Sequence, residues 1–209
     1  MNVEYTCYGW KDADPTCAHD YILPAVIGQV RELYNRKTAK ILDIGCGNGY
    51  VAAKLAGLGH SVMAIDASPD GVDIARSTFP GVQFEVGSVY DESLHDLVGT
   101  LVDCVVSLEV VEHLFYPKRL FEQSHKVLRP GGVLIVSTPY HGYLKNLAIS
   151  LVNGWDRHFM VEWDGGHIKF FSKRTLARMA CNAGFRNPRF QGVGRFPGMW
   201  KSMIMVVEK

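Results

Sequence analysis

The chain has 209 residues, 47% of them hydrophobic, with 22 basic side chains set against 21 acidic ones. That is apolar material for one sizeable core and too little for two, so a single domain over 1–209 is expected. The near balance of charge excludes a long electrostatic footprint for nucleic acid or an anionic membrane and leaves a small molecule as partner. Five cysteines, at 7, 17, 46, 104 and 181, are odd in number and widely spaced, which is not the pattern of a disulfide framework. Met1 to Pro15 carries Glu4, Lys11, Asp12 and Asp14 and no apolar segment, so no secretory leader is expected. No stretch is apolar and long enough to span a bilayer, and the cytoplasm is the expected compartment.

Short β-branched runs alternate with longer amphipathic stretches, the pattern of βαβ units around a parallel sheet. Ile22, Leu23, Val26, Ile27, Val30, Leu33 and Tyr34 recur at three- and four-residue spacing, which predicts a helix laid against that sheet. A strand over 40–44 follows, then a helix over 48–56, a strand over 61–65, a helix over 69–77 and a strand over 83–86. A fourth strand covers 101–107; a helix over 117–128, the turn Arg129-Pro130-Gly131-Gly132 and a strand over 133–137 complete the regular portion. Residues 139–170 show no clean period and hold many aromatics, glycines and histidines, which marks a lid or binding loop. Ser172 is the expected cap of a helix to Ala183 that Gly184 ends, and strands over 189–193 and 202–207 finish the sheet.

The strongest chemical signal is Ile41-Leu42-Asp43-Ile44-Gly45-Cys46-Gly47-Asn48-Gly49, an apolar strand ending in a glycine-rich turn that opens a helix. Such a turn brings backbone N–H groups close to a cofactor. A dinucleotide fingerprint needs G-x-G-x-x-G, whereas this turn reads G-x-G-x-G with Tyr50 at the third dinucleotide position, so a nicotinamide oxidoreductase is disfavoured. Asp66 ends the second strand some 20 residues on, where an acid accepts hydrogen bonds from ribose hydroxyls.

Asp43 to Gly49, Asp66, Glu109 to His113 and Leu128-Arg129-Pro130-Gly131-Gly132 together resemble the Rossmann-like methyltransferases that use S-adenosylmethionine (SAM). The resemblance implies a doubly wound seven-stranded α/β sheet, mostly parallel with the last strand antiparallel, carrying an inserted lid. It implies SAM as cofactor, held by Asp43, Gly45, Cys46, Gly47, Gly49, Asp66 and Ala67, with Gly87 and Ser88 by the adenine and Leu108 and Glu109 by the methionine portion. Many relatives carry Asp where this chain has Ser88, so that contact is weaker or passes to the Val89 N–H. Glu109 to His113 and Gly166-His167-Ile168-Lys169-Phe170 are similar to the ubiquinone-biosynthesis O-methyltransferases.

A hydroxyl acceptor must lose a proton, and His113 is the first candidate base, joined by His158 and His167 from the lid. The ubiquinone-pathway resemblance also suggests a divalent cation on Glu109, Glu112 and His113; the reading adopted is metal-free, with Glu109 as a cofactor or substrate contact. Tyr140, His141, Tyr143, Trp155, His158, Phe159, Trp163 and His167 suit a pocket for an aromatic or lipid-like acceptor. Leu144, Leu147, Ala148, Leu151 and Val152 at helical spacing predict an amphipathic helix that covers the site or touches a membrane-borne substrate, covering being preferred since Lys145 is its only basic residue. Ser107-Leu108-Glu109-Val110 stands where nucleobase N-methyltransferases resemble one another in an Asn-Pro-Pro-Tyr-like turn, which disfavours that chemistry. The expected activity is methyl transfer to a small molecule at a hydroxyl oxygen; transfer to nitrogen or carbon, and a non-catalytic SAM-binding module, are the alternatives.

Overall fold

Both faces of the central strands are apolar. In a computed structural model of the chain, which describes residues 8–35, 37–159 and 162–209, one buried cluster holds Ile41, Cys104, Val106, Ile135, Ile204 and Val206, and another holds Leu42, Ile44, Val105, Leu134, Val136 and Met205. Alternate residues of a strand point to opposite faces, so strands buried on both sides require helices on both sides.

The chain supplies them in alternation. Helix α1 (His19–Tyr34) precedes β1 (Lys40–Ile44), α2 (Tyr50–Ala56) leads to β2 (Ser61–Asp66), α3 (Pro69–Thr78) to β3 (Gln83–Val86), and a short α4 (Leu94–Val98) to β4 (Val102–Leu108). Next come α5 (Lys118–Val127), β5 (Leu128–Pro139), α6 (Tyr143–Leu151) and α7 (Trp155–Phe159), then α8 (Lys173–Asn182), β6 (Arg186–Val193) and β7 (Ser202–Glu208). The sheet order is β3-β2-β1-β4-β5-β7-β6, and β7 runs against both of its neighbours. Ile22, Val26 and Val30 of α1 and Leu55 of α2 bury against the first face, and Leu120, Phe121 and Val127 of α5 and Leu176 of α8 against the second. The sheet is therefore the expected seven-stranded one.

The differences from expectation are local. Helix α4 has only Leu94 and Val98 buried in five residues, too few for a period to show. The Arg129–Gly132 turn lies inside β5 rather than before it: Leu128 pairs with Val102, the register shifts, and Val133 pairs with Cys104. Backbone bonds between Gly131 N–H and the Lys209 carbonyl, and between Lys209 N–H and the Gly132 carbonyl, carry the ladder through the irregularity. Ser172 caps α8 as expected, in a reciprocal box with Thr175. Cys17, Cys46, Cys104 and Cys181 are free thiols, and Cys7 lies outside the described residues. No helix among the described residues is long and apolar enough to cross a membrane.

Strand order reverses between β1 and β4. In open α/β sheets a crevice forms there, beyond the carboxyl ends of the strands.

Candidate active site

The turn from Gly45 to Gly49 joins β1 to α2 at that crevice. Gly45 N–H and Cys46 N–H both donate to the Ile65 carbonyl, at 2.8 and 3.0 Å, which ties the turn to β2. Gly45 has φ 79°, and a Cβ there would lie 2.3 Å from Val110 Cγ2; Gly47 has φ 51°, and a Cβ there would lie 2.4 Å from Trp10 Cζ2. Any other residue at either position meets both backbone strain and an occupied space.

Two carboxylates sit under this turn. Asp66 accepts from Gly47 N–H at 2.7 Å through Oδ2 and from Ser68 N–H at 2.8 Å through Oδ1, so it pins the turn as well as facing the cavity. Burial pushes its carboxyl up while those two N–H groups pull it down. Asp43 is 2% exposed and its Oδ2 has no hydrogen-bond partner. Burial, and then the charge of Asp66, push Asp43 up to about 7.

The cavity has a volume of about 690 Å³. It is lined by Asp43, Gly45, Cys46, Gly47, Asp66, Ala67, Gly87, Ser88, Leu108 and Glu109, and by His113, His158 and His167. Gly49 is the exception among the expected contacts: it lies off the cavity as the left-handed N-cap of α2, its Cβ space taken by Ala75 and Phe84. The sequence reading missed a second wall, the segment before α1. Asn48 Nδ2 donates to the Asp12 and Asp14 carbonyls at 3.0 and 2.9 Å and holds that segment over the turn, so that Trp10 packs on Gly47 with its buried indole N–H unpartnered. A tryptophan in a polar stretch was the available signal.

Across the cavity, Glu109 follows β4 in a left-handed conformation, φ 54°. Its carboxylate accepts from the Ser137 hydroxyl at 2.8 Å and the Ser202 hydroxyl at 3.2 Å. Burial pushes it up to about 7, against those two bonds and the charge of Lys145. His113 Nδ1 lies 2.7 Å from the Gly165 carbonyl and 3.2 Å from that of Gly166. A carbonyl only accepts, so Nδ1 carries the proton and Nε2 keeps its lone pair. Burial holds His113 below the usual histidine range, so it is neutral near pH 7. The His167 ring centroid lies 4.9 Å from that of His113, and burial, reinforced by His113, lowers His167 to about 4.

Glu109, Glu112 and His113 do not converge. Among the described residues, Glu112, His113 and His167 bring ligand atoms within 4.8 Å of one another, while Glu109 is turned toward Ser137 and Ser202. Glu112 is fully buried and its carboxylate oxygens make no hydrogen bond of good geometry, though His167 Nε2 lies 3.9 Å from Oε1. Burial, then the charge of Glu109, raise it well above the usual carboxylate range, against the pull of its own backbone N–H and the Thr138 hydroxyl. Its backbone carbonyl accepts from Ile168 and Lys169 N–H, both at 3.0 Å, and these bonds bring His167 alongside.

The expected covering role of the leucine row on α6 is reversed. Leu144, Leu147, Leu151 and Val152 are exposed, whereas Lys145 is 6% exposed and lines the cavity. The sheet faces are already filled by α1, α2, α5 and α8, and among the described residues these leucines join none of the buried clusters. The aromatic wall is made instead by His141, Phe159 and Trp163; the rings of His141 and Phe159 stack at 5.8 Å.

A glycine turn pinned by an acid at a topological switch point, facing a second polar cluster across one cavity, is a nucleotide-cofactor site of the kind that SAM-dependent methyltransferases carry, and its relatives place the chain in that class. Residues 20–188 match the model of a methyltransferase domain family, and the chain belongs to it. It is 33% identical over 198 residues to a ubiquinone biosynthesis O-methyltransferase of Ruegeria pomeroyi, covering 90% of this chain and 78% of that protein. It is 31% identical over 180 residues to the protein of the same name from Azorhizobium caulinodans, covering 82% and 69%. Its fold is similar to that of magnesium protoporphyrin IX methyltransferase from Synechocystis PCC 6803, solved with S-adenosylhomocysteine (SAH) bound, at TM-score 0.70 and 17% identity over 90% of this chain and 82% of that one. SAM is the cofactor, and the cavity fits it: the unpartnered Asp43 oxygen and the Asp66 carboxylate suit a ligand that brings hydroxyl donors and positive charge.

Proposed function

We propose that this enzyme methylates a hydroxyl oxygen on a small aromatic acceptor. When bound, SAM supplies an electrophilic methyl on a sulfonium, which the acceptor oxygen takes by in-line displacement, leaving SAH. Asp66 would receive the ribose hydroxyls, and Asp43 would balance the positive charge of the cofactor. Gly87, Ser88 and Leu108 line the cavity, where the first two would take the adenine and the third the methionine portion. His113 Nε2 takes the hydroxyl proton while Nδ1 stays on the Gly165 carbonyl, so the imidazolium that forms is held in place. The observation that carries the reading is the 2.7 Å contact of His113 Nδ1 with the Gly165 carbonyl, which assigns the proton to Nδ1 and the lone pair to Nε2 in a residue lining the same cavity as the glycine turn. His141, Phe159 and Trp163 supply flat walls for the ring, and His158 and His167 supply polar contacts. The names of the two bacterial relatives agree with oxygen as the target.

A second reading rests on Glu112. A buried carboxylate whose oxygens make no hydrogen bond of good geometry, beside two neutral imidazoles, would hold a divalent cation through Glu112, His113 and His167. A bound cation would supply a Lewis acid that lowers the acceptor hydroxyl pKa. His113 would then be a ligand rather than the base. The test is a screen of catechols and phenols with methyl-labelled SAM and mass detection, run with chelator and with added magnesium, manganese or zinc. O-methylated product that survives chelation supports His113 as base, product that needs metal supports the second reading, and N- or C-methylated product refutes both.

A further inference from the structure

We propose that Lys145 and Arg195 form an anion-binding subsite in the acceptor part of the cavity, so that the acceptor carries a carboxylate or phosphate as well as its hydroxyl. The inference rests on the reading above for the word acceptor. Lys145 stands in the first turn of α6, is 6% exposed, and lines the cavity with Arg195, which comes from the connection between β6 and β7. Its ammonium has one long hydrogen bond, 3.5 Å to the Lys201 carbonyl. Among the described residues no carboxylate lies within 4.0 Å of it.

Every local influence but one opposes a cation there. Burial and then Arg195 bring Lys145 down to about 8, and only Glu109 acts in the other direction. The Glu109 carboxylate is already engaged by the Ser137 and Ser202 hydroxyls. The amino end of α6 adds the positive pole of its helix, against the usual preference for acids in a first turn. His158 responds to both cations, Lys145 more than Arg195, so the two act on one region of the cavity. A buried ammonium beside a guanidinium, with only the already engaged Glu109 to balance them, is costly, and an anionic ligand relieves that cost. The pair suits it: a point charge from Lys145 and a planar fork from Arg195 bind carboxylate or phosphate oxygens.

The test is calorimetric titration of the SAH-saturated protein with 3,4-dihydroxybenzoate, phenyl phosphate and 3,4-dihydroxybenzamide. At least one acid is expected to bind about tenfold or more tighter than the neutral amide, and the tighter acid tells carboxylate from phosphate. Lys145→Met keeps the buried aliphatic stem, and Arg195→Gln alters an exposed side chain; each is expected to shrink the preference toward parity with SAH affinity held within about twofold. The subsite is overturned if the amide binds as well as both acids, if neither acid binds, or if the preference survives both substitutions. It is overturned too if the substitutions weaken SAH instead, because the cations then serve the cofactor's own carboxylate. Binding needs no turnover, so the absence of O-methylated product would refute the proposed reaction and leave this result standing.

Discussion

Asp66→Asn separates the two duties of one carboxylate. The native side chain accepts from Gly47 N–H and Ser68 N–H through different oxygens. Asparagine keeps one acceptor oxygen, so one of those N–H groups must face an amide NH2. Losing a hydrogen bond to a charged acceptor costs about 1.5–3 kcal/mol. Part is returned, because the Asp66 charge that pushes Asp43 up is gone. A net loss of about 1–2 kcal/mol lowers Tm by roughly 2–8 °C in a chain of this size. The ribose contact carries a separate loss of about 1.5–3 kcal/mol, or roughly 10- to 150-fold in SAH affinity. Differential scanning calorimetry measures the first quantity and isothermal titration with SAH the second. An unchanged SAH Kd in a folded variant would refute the ribose role; an unchanged Tm would refute the pinning of the turn.

Gly47→Ala meets φ 51° and the Trp10 ring together, and the strain of about 1–2 kcal/mol should appear as a lower Tm and at least roughly tenfold weaker SAH binding. His113→Gln should lower kcat by about 10²- to 10⁴-fold with SAH affinity unchanged, and a near-normal kcat would end its candidacy as base. Asp43 moves from 3.8 unfolded to about 7 folded, so its stabilisation is full below pH 4 and is lost as pH rises through 7. Tm of the free protein should therefore fall between about pH 4 and 7 through a term of up to about 4 kcal/mol, and Asp43→Asn should flatten that fall; equal slopes for the two proteins would show that Asp43 is not the group responsible. Leu151→Ser on exposed α6 should change stability by less than about 0.5 kcal/mol, and a larger loss measured in urea would show that the leucine row is buried after all.

Much of the scaffold was readable because the signals are short-range. The near-continuous apolar runs of β1, β4, β5 and β7, the capping box at Ser172 and Thr175, and the glycine turn each depend on residues within a few positions of one another. The residues that line the glycine-turn side of the cavity were readable for the same reason: they stand where β1, β2, β3 and β4 end, and strand ends are marked in the chain. Tertiary placement decided the rest. Helix α6 shows a leucine row that any sequence reading would turn inward, yet its outcome depends on whether a sheet face is still uncovered, and among the described residues none is. Glu109 and Glu112 look equivalent in sequence, but the left-handed turn at Glu109 sends one carboxylate to Ser137 and Ser202 and leaves the other beside His167. Lys145 was one surface lysine among many until Arg195 was brought beside it. The sequence by itself determined the sheet, the cofactor turn and its acids, because backbone conformation and burial period are written locally. Only the tertiary structure decided the acceptor side, because its chemistry arises between side chains far apart in the chain, whose charges and lone pairs acquire meaning from what lies opposite them.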